Sequence, residues 1–368
     1  MEKVYKKVLK RLIDNGCDAY VVGGYVRDNF LGIYTDDIDI TTSASTDEVI
    51  SLFKKTIPTG VKHGTVTVIE DGQQFEITTF RSDGNYINHR HPETVEFVSS
   101  IDEDLKRRDF TINAFALDYH DRIIDLFNGK EDLNNKLLRS IGNPDKRFTE
   151  DALRMLRAIR FQSKLGFTIE VDTLSSIKRN QKLLEEVSIE RIKSELDKLF
   201  LGEYYQVAIK SLLEINFDAL NDLKGLSHEG ELSVLERYTL CYYINGFDLK
   251  KWKFSNSEIK LIKKVSEGID NLDRIDNLTV YNYGLDLLIS NKINKIINGD
   301  DYSNKIKLIY NDLPIKSIKE LKISGSDLTE LGFNGPKVGD ILKNIENKIV
   351  QEELANDLDE IIKYVRRS

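Results

Sequence analysis

The sequence predicts an α+β chain: a mixed β-sheet head in roughly the first third, then a remainder built almost wholly from helices. That division rests on three features. Short β-branched runs at Ala19–Val22, around Ile38 and Ile40, at Gly64–Ile69, at Gln74–Phe80 and after Arg122 are broken by glycine or Asp-Gly turns, as strands are. From Thr149 onward apolar residues recur at helical spacing, with no low-complexity tract and no exact repeat. A length of 368 residues with 40% hydrophobic content is enough to bury a substantial core and suggests two or more domains.

The opening MEKVYKKVLKRLIDNG reads as an amphipathic charged helix rather than a signal peptide, and no apolar run is long enough to span a bilayer. Cys17 and Cys241 lie far apart, which fits a reducing cytoplasm and no disulfide framework. The five histidines (His63, His89, His91, His120, His228) show no zinc spacing; His89 and His91 sit in a polar loop, and His120-Asp121 reads as a hairpin turn. The net charge of −8 argues only mildly against a polyanionic partner, because nucleic acid responds to a local basic surface rather than to the total.

Ala19–Val22 is a short apolar strand, and the Gly23-Gly24 pair after it frees the backbone to turn sharply and pass close to a ligand. Tyr25–Leu31 then reads as one or two helical turns closed by Gly32. A strand, a double glycine and a helix start leave N–H groups pointing outward, and Arg27 on that turn can fork onto a phosphate; any tight strand-to-helix connection could use the same glycines. In Asp36-Asp37-Ile38-Asp39-Ile40 a strand would send Ile38 and Ile40 to the core. Asp37 and Asp39 would then share the other face, roughly 6.5–7 Å apart. Two such carboxylates suit a pair of Mg²⁺ ions about 3.5–4 Å apart for phosphoryl transfer, or else mark a solvated acidic strand edge.

Asp71-Gly72 joins the next two strands as a hairpin, with Phe75 and Ile77 on one side and Glu76 and Thr78 on the other; Glu76 is either a third carboxylate or an ordinary surface residue. The polar stretch from Arg81 to Pro92 reads as a mobile loop. Lys106, Arg107 and Arg108 precede an apolar run, as a basic helix end or as a triphosphate clamp. Arg122–Gly129 gives a further strand and turn. In TEDALRMLRAIRF, Thr149 is expected to cap a helix whose apolar face is Leu153, Leu156 and Ile159. Asp151, Arg154, Arg157 and Arg160 follow every third residue, each about 60° around from the last, either as surface ion pairs or as a functional row.

GGYVRD followed by DDID resembles the signature of the nucleotidyltransferase superfamily, in the form used by class II tRNA nucleotidyltransferases (CCA-adding enzymes) and related bacterial poly(A) polymerases. RRDFTINA, DLFNGKEDL with Asp125 and Gly129, EDALRMLR, SIERIKSELDKLF with Glu190, Arg191 and Glu195, and the late SGSDLTELGFNGPKVGDIL extend the likeness over most of the chain. The resemblance implies a nucleotidyltransferase-type head at residues 1–138 and an all-α neck, body and tail at 139–200, 201–270 and 271–368. It implies addition of C, C and A to the 3′ end of tRNA from CTP and ATP, with Mg²⁺ held by Asp37 and Asp39. Gly24, Arg27 and Arg108 would hold the triphosphate, Asp151 and Arg154 would read the base, and Arg157 and Arg160 would contribute supporting or phosphate contacts. The loop after Arg81 is full length, which in the resembled family goes with complete C and A addition.

Base selection then has a chemical rationale. Cytosine and adenine each present an NH₂ donor beside a ring-nitrogen acceptor, whereas uracil and guanine present a carbonyl beside a ring N–H. A carboxylate beside a guanidinium matches the first pattern and leaves buried charges unpaired against the second. Basic residues at Lys250, Lys251 and Lys253 around Trp252, at Lys260, Lys263 and Lys264, and at Lys305 and Lys307 are candidate RNA phosphate contacts or solvated helix faces, as is the Gly335–Gly339 turn with Lys337. Rival readings are an A-adding enzyme or poly(A) polymerase using ATP only, an antibiotic nucleotidyltransferase, and a non-catalytic RNA-binding relative. No membrane and no stable protein partner is expected.

Overall fold

The computed structural model describes residues 3–83, 86–87, 91–92 and 95–367, and the chain forms two compact units, residues 1–221 and 222–368.

The first unit opens with α1 (Val4–Asp14), whose Tyr5, Val8, Leu9 and Leu12 are all buried, an i, i+3, i+4, i+7 stripe. The elements that follow are β1 (Ala19–Val22), α2 (Gly24–Phe30), β2 (Asp39–Thr42), α3 (Thr46–Leu52), β3 (Thr56–Gly60), β4 (Thr65–Glu70) and β5 (Gln73–Thr79). Next come β6 (Arg81–Asp83), β7 (Tyr86–Ile87), β8 (His91–Pro92), β9 (Val95–Phe97), α4 (Ile101–Lys106), β10 (Phe115–Leu117), β11 (Ile123–Asp125) and α5 (Gly129–Asn134). The main sheet has the order β11-β10-β1-β2-β5-β4-β3, antiparallel throughout except for the central β2–β5 pair. That parallel pair sets Asp39 opposite Glu76 and Ile40 opposite Ile77. Asp71 and Gly72 both adopt positive φ, at 50° and 83°, the geometry of a two-residue hairpin.

Two expectations change here. Asp37 lies outside β2, which begins at Asp39, although Ile38 and Ile40 are buried as an extended segment requires. The stretch after Arg81, read from sequence as a mobile loop, carries two short strand pairings, β6 with β9 and β7 with β8; Gly84, Asn85, Asn88, His89 and Arg90 lie outside the described residues.

The rest of the first unit is helical apart from one small pairing: β12 (Leu137–Leu138) runs parallel to β13 (Thr168–Ile169). Around it lie α6 (Pro144–Glu150), α7 (Leu153–Leu165), α8 (Val171–Asn180), α9 (Ile189–Phe200), α10 (Tyr205–Leu213) and α11 (Asp218–Asn221). The single helix expected from Thr149 is two helices. Asp151 ends α6 in extended geometry (φ −141°, ψ 104°), and α7 starts at Leu153. Thr149 therefore caps nothing; its hydroxyl donates back to the carbonyls of Asp145 and Lys146 within α6. The break turns Asp151 out of the helix row, while Arg154, Arg157 and Arg160 keep their helical spacing.

The second unit consists of α12 (Val234–Asn245), α13 (Asn256–Asp270), α14 (Asn277–Tyr283), α15 (Asp286–Asn298), α16 (Ser303–Asp312), α17 (Gly325–Glu330), α18 (Pro336–Val350) and α19 (Leu358–Arg367). Capping boxes at Ser233/Glu236, Ser255/Glu258 and Ser324/Asp327 fix three of the helix starts. Trp252, flanked by lysines in the sequence, is fully buried; its indole N–H donates to Asp222 at 2.9 Å, and Phe247 meets it edge-on. It is a core residue and not a stacking platform, whereas Lys250, Lys251 and Lys253 are exposed. Gly335 precedes α18 at φ 64°, and Pro336 is its first residue.

Gly129 is packed so that a Cβ would lie 2.4 Å from the Thr111 carbonyl and 2.7 Å from the Phe115 ring. Gly129→Ala is expected to cost about 1–3 kcal/mol and to lower the melting temperature of this unit by roughly 2–10 °C. An unchanged calorimetric melt would show that α5 shifts freely.

Candidate active site

A cleft of about 550 Å³ opens over the β1–β2–β5 edge. Gly24, Arg27, Asp37, Asp39, Arg108, Asp151, Arg154, Arg157 and Arg160, drawn from three separate motifs, all line it.

Gly23 makes the first wall possible. It sits at φ 71°, ψ −131°, a conformation only glycine adopts cheaply, and a Cβ there would lie 3.1 Å from an Arg108 nitrogen and 3.9 Å from an Asp39 oxygen. The bare backbone lets both side chains come close. Asp39 is pushed up to about 6: burial dominates, the Asp37 and Glu76 carboxylates add to it, and Arg108 opposes them. Glu76 is exposed beside Asp39 and lines the same cleft. Asp37, Asp39 and Glu76 do not close into a three-ligand cluster; among the described residues no group of three His, Cys, Asp or Glu side chains is placed to hold a metal. An oxygen-only pair of carboxylates, one of them held against its own ionisation by burial and then by neighbouring negative charge, fits Mg²⁺. That ion prefers hard oxygen donors and keeps several waters or phosphate oxygens of its own.

The second wall is cationic, and its guanidiniums are held by buried acids. Arg108 reaches the buried Asp104 at 3.3 Å, and Arg107 takes the same carboxylate at 2.9 Å. Burial works to raise Asp104, but the two arginines outweigh it and hold the carboxyl below its ordinary range. Arg27 is less available to a ligand than its sequence position suggests. It is almost fully buried, with Nε on Asp28 at 2.7 Å and Nη1 on the Asn113 carbonyl oxygen at 2.5 Å; Lys164 binds the other Asp28 oxygen at 2.9 Å.

Helix α7 supplies the third group. Asp151 and Arg154 do not pair with each other, contrary to the adjacent couple expected from the sequence. The break before α7 leaves Asp151 facing Arg191 of α9 at 3.0 Å, while Arg154 binds Glu150 at 2.9 Å and the Arg107 carbonyl at 3.1 Å. Arg157 grips Asp109 at 2.6 and 2.9 Å, and Arg160 lies 2.7 Å from Glu195. Asp109 is wholly buried. Although burial opposes ionisation, Arg157 and the Asn113 amide hold it far below the usual carboxylate range.

Asp28, Asp104, Asp109 and Asn113 were not singled out by sequence reasoning, yet they orient the arginines that were. Each lies within five residues of such an arginine in the GGYVRD or DLKRRDFTIN segment, which was the available signal.

Asp39 has a titratable signature. Its folded pKa near 6 exceeds the ordinary 3.8, so the folded chain binds this proton more tightly than the unfolded one. Its contribution to stability is present at low pH and is lost as pH rises from about 4 to about 6. A carbon-13 carboxyl titration of metal-free protein should place Asp39 near 6, and Asp37→Asn should lower that midpoint. A midpoint unmoved by the substitution would remove Asp37 from the cause.

A family model described as the poly A polymerase head domain matches residues 19–139, one for tRNA nucleotidyltransferase domain 2 matches 240–365, and one for an RNA- and SrmB-binding site of polymerase A matches 166–218. The chain is 40% identical to a CCA-adding enzyme of Ligilactobacillus salivarius, covering 98% of this chain and 95% of that one. It is 37% identical to the Bacillus subtilis CCA-adding enzyme over 100% and 99%. Its fold matches the crystal structure of the Bacillus stearothermophilus CCA-adding enzyme in complex with CTP at a TM-score of 0.88 and 33% identity, over 100% and 98% of the two chains. Motifs, fold and full-length identity agree, and the chain belongs to the CCA-adding enzymes of the tRNA nucleotidyltransferase family.

Proposed function

We propose that this chain adds C, C and A to the 3′ end of tRNA, taking CTP and ATP and releasing pyrophosphate, in the cytoplasm. The observation that carries the reading is the meeting of three groups in one cleft: an acidic wall at Asp37 and Asp39, a cationic wall at Arg108, and the start of α7 with Asp151 and Arg154. Relatives named CCA-adding enzymes, and a homologue at 33% identity crystallised with CTP, favour this over an activity limited to ATP. An antibiotic nucleotidyltransferase would leave α7 and the helical second unit without a purpose.

In this reading Asp37 and Asp39 hold Mg²⁺, which when bound makes the terminal ribose hydroxyl more acidic and neutralises the departing pyrophosphate. Arg108, steadied by Asp104, carries the triphosphate, and the N–H groups around Gly24 offer further donors. The 3′ oxygen forms a bond to the α-phosphorus, the bond to the β-phosphate bridge breaks, and the hydroxyl proton is released to solvent. Asp151 accepts from the exocyclic amine of cytosine or adenine and Arg154 donates to the ring nitrogen. Their own partners, Arg191 and Glu150, keep the two side chains fixed between turnovers.

The decisive experiment supplies purified protein with tRNAs ending before, within and one residue short of CCA, offers each nucleoside triphosphate singly, and sequences the ends. Incorporation of ATP alone would return the choice to the A-adding reading. In the same assay Asp37→Ala and Asp39→Ala are expected to lower kcat/KM by about 1,000-fold or more, from several kcal/mol of lost charge stabilisation. Unchanged tRNA affinity in a filter assay would show that only the chemistry is lost; retained turnover would sink the metal assignment. Asp151→Asn combined with Arg154→Gln presents the uracil pattern and should reduce the preference for CTP over UTP by about tenfold or more. A preference that survives the pair would overturn the hydrogen-bond account.

A further inference from the structure

Three guanidiniums of the cleft converge on one phenyl ring. The Arg160 guanidinium carbon lies 4.1 Å from the centroid of Phe161, that of Arg27 lies 5.3 Å away and that of Arg157 lies 5.6 Å away. Phe161 lines the cleft, is 5% exposed, and is itself held edge-on by Phe110, with centroids 5.8 Å apart at 81°.

Three like charges gathered this closely repel one another. Acids relieve part of that repulsion at the guanidinium edges: Asp28 for Arg27, Asp109 for Arg157, and Glu195 for Arg160. The relief is least complete at Arg160, whose Nε lies 2.7 Å from Glu195 but is too poorly aligned for a hydrogen bond. Burial and the neighbouring Arg157 hold Arg160 below the ordinary guanidinium range despite Glu195. Arg160 is also the cation closest to the ring. The face of an aromatic ring carries the negative part of its quadrupole, so Phe161 supplies attraction without spending a negative charge that would repel a phosphate.

We propose that Phe161 is a positioning residue: its ring is the shared surface against which Arg27, Arg157 and Arg160 are held as one cationic group in the wall of the cleft. The proposal rests on the cleft taking nucleoside triphosphates. A fourth carboxylate in that place would gather the same arginines while cancelling the positive potential they create, so a neutral quadrupole is the better holder at a site for a polyanion. The nine residues recognised from sequence include the three arginines and not the ring that organises them.

The test replaces Phe161 in the full chain with mono-, di- and trifluorophenylalanine, which keep the shape and progressively drain the ring face, alongside Phe161→Leu, which removes it. Pyrophosphate affinity is read by calorimetry, and KM for CTP and ATP is read on a tRNA lacking its end. Each added fluorine should weaken pyrophosphate binding and raise both KM values, reaching roughly three- to tenfold for the trifluoro ring, with kcat little changed. Pyrophosphate affinity that stays flat across the fluorine series would overturn the proposal, whether or not Phe161→Leu weakens it, since packing alone would then explain the ring. A rise in KM without a change in pyrophosphate affinity would place the ring against the base and overturn it equally. Failure of the unsubstituted protein to transfer from CTP or ATP would refute the preceding functional reading, while the calorimetric series would still decide the role of Phe161.

Discussion

The clasp between Asp109 and Arg157 is the constraint on which the cleft depends. Asp109 follows Arg107 and Arg108, and Arg157 sits one turn beyond the start of α7, so this ion pair fastens α7 to the segment between α4 and β10. One Asp109 oxygen takes both Arg157 nitrogens; the other accepts from the Asn113 amide and the Phe110 N–H, and Asn113 passes the connection on to Arg27. A buried carboxylate so surrounded costs several kcal/mol in lost hydration, and only a full set of partners offsets that cost. Loss of any one member leaves a charge stranded in a dry interior, which is why such a network holds one geometry.

Around this clasp the cleft separates its charges. Asp37, Asp39 and Glu76 gather negative potential at the β2–β5 edge, while the arginines of the opposite side each keep an edge occupied by an acid set behind them. The two fields would collapse onto each other if Arg108 were free to swing to Asp39. Asp104, beneath Arg108, prevents that. Burial first, then Asp37 and Glu76, raise the proton affinity of Asp39 against the opposing pull of Arg108.

Much of this was legible in the residues, and what was not has identifiable physical reasons. The strands, the Asp71-Gly72 hairpin and the burial of Ile38 and Ile40 follow from local pattern, because period two and a positive-φ turn are properties of a few adjacent residues. The split between α6 and α7 was hidden. Thr149-Glu150-Asp151 has the composition of a helix start, and tertiary contacts bend the chain one turn later, where Arg191 captures Asp151. The buried acids escaped notice because a sequence records charge and not depth: Asp104 and Asp109 look like polar neighbours of arginines until the fold closes over them. Trp252 illustrates the converse: the lysines around it suggest phosphate contacts or a solvated face, while its own indole is buried and donates to Asp222. The cleft residues were found together only because their motifs matched a family; nothing local links Gly24 to Arg160.

The central pairing of β2 with β5 has a bearing on how the chain matures. That parallel contact joins segments more than thirty residues apart across β3 and β4, and the clasp waits on α7, more than seventy residues later still. Synthesis proceeds from the N-terminus, so a growing chain carries Arg27, the acidic segment and Arg108 well before Arg154, Arg157, Arg160 and Glu195 are made. Until then the ribosome-bound fragment has the acidic wall and Arg108 but none of the α7 arginines. The cleft is therefore complete only when α9 closes behind α7, and cleavage within that span would part the α7 arginines from the two earlier walls.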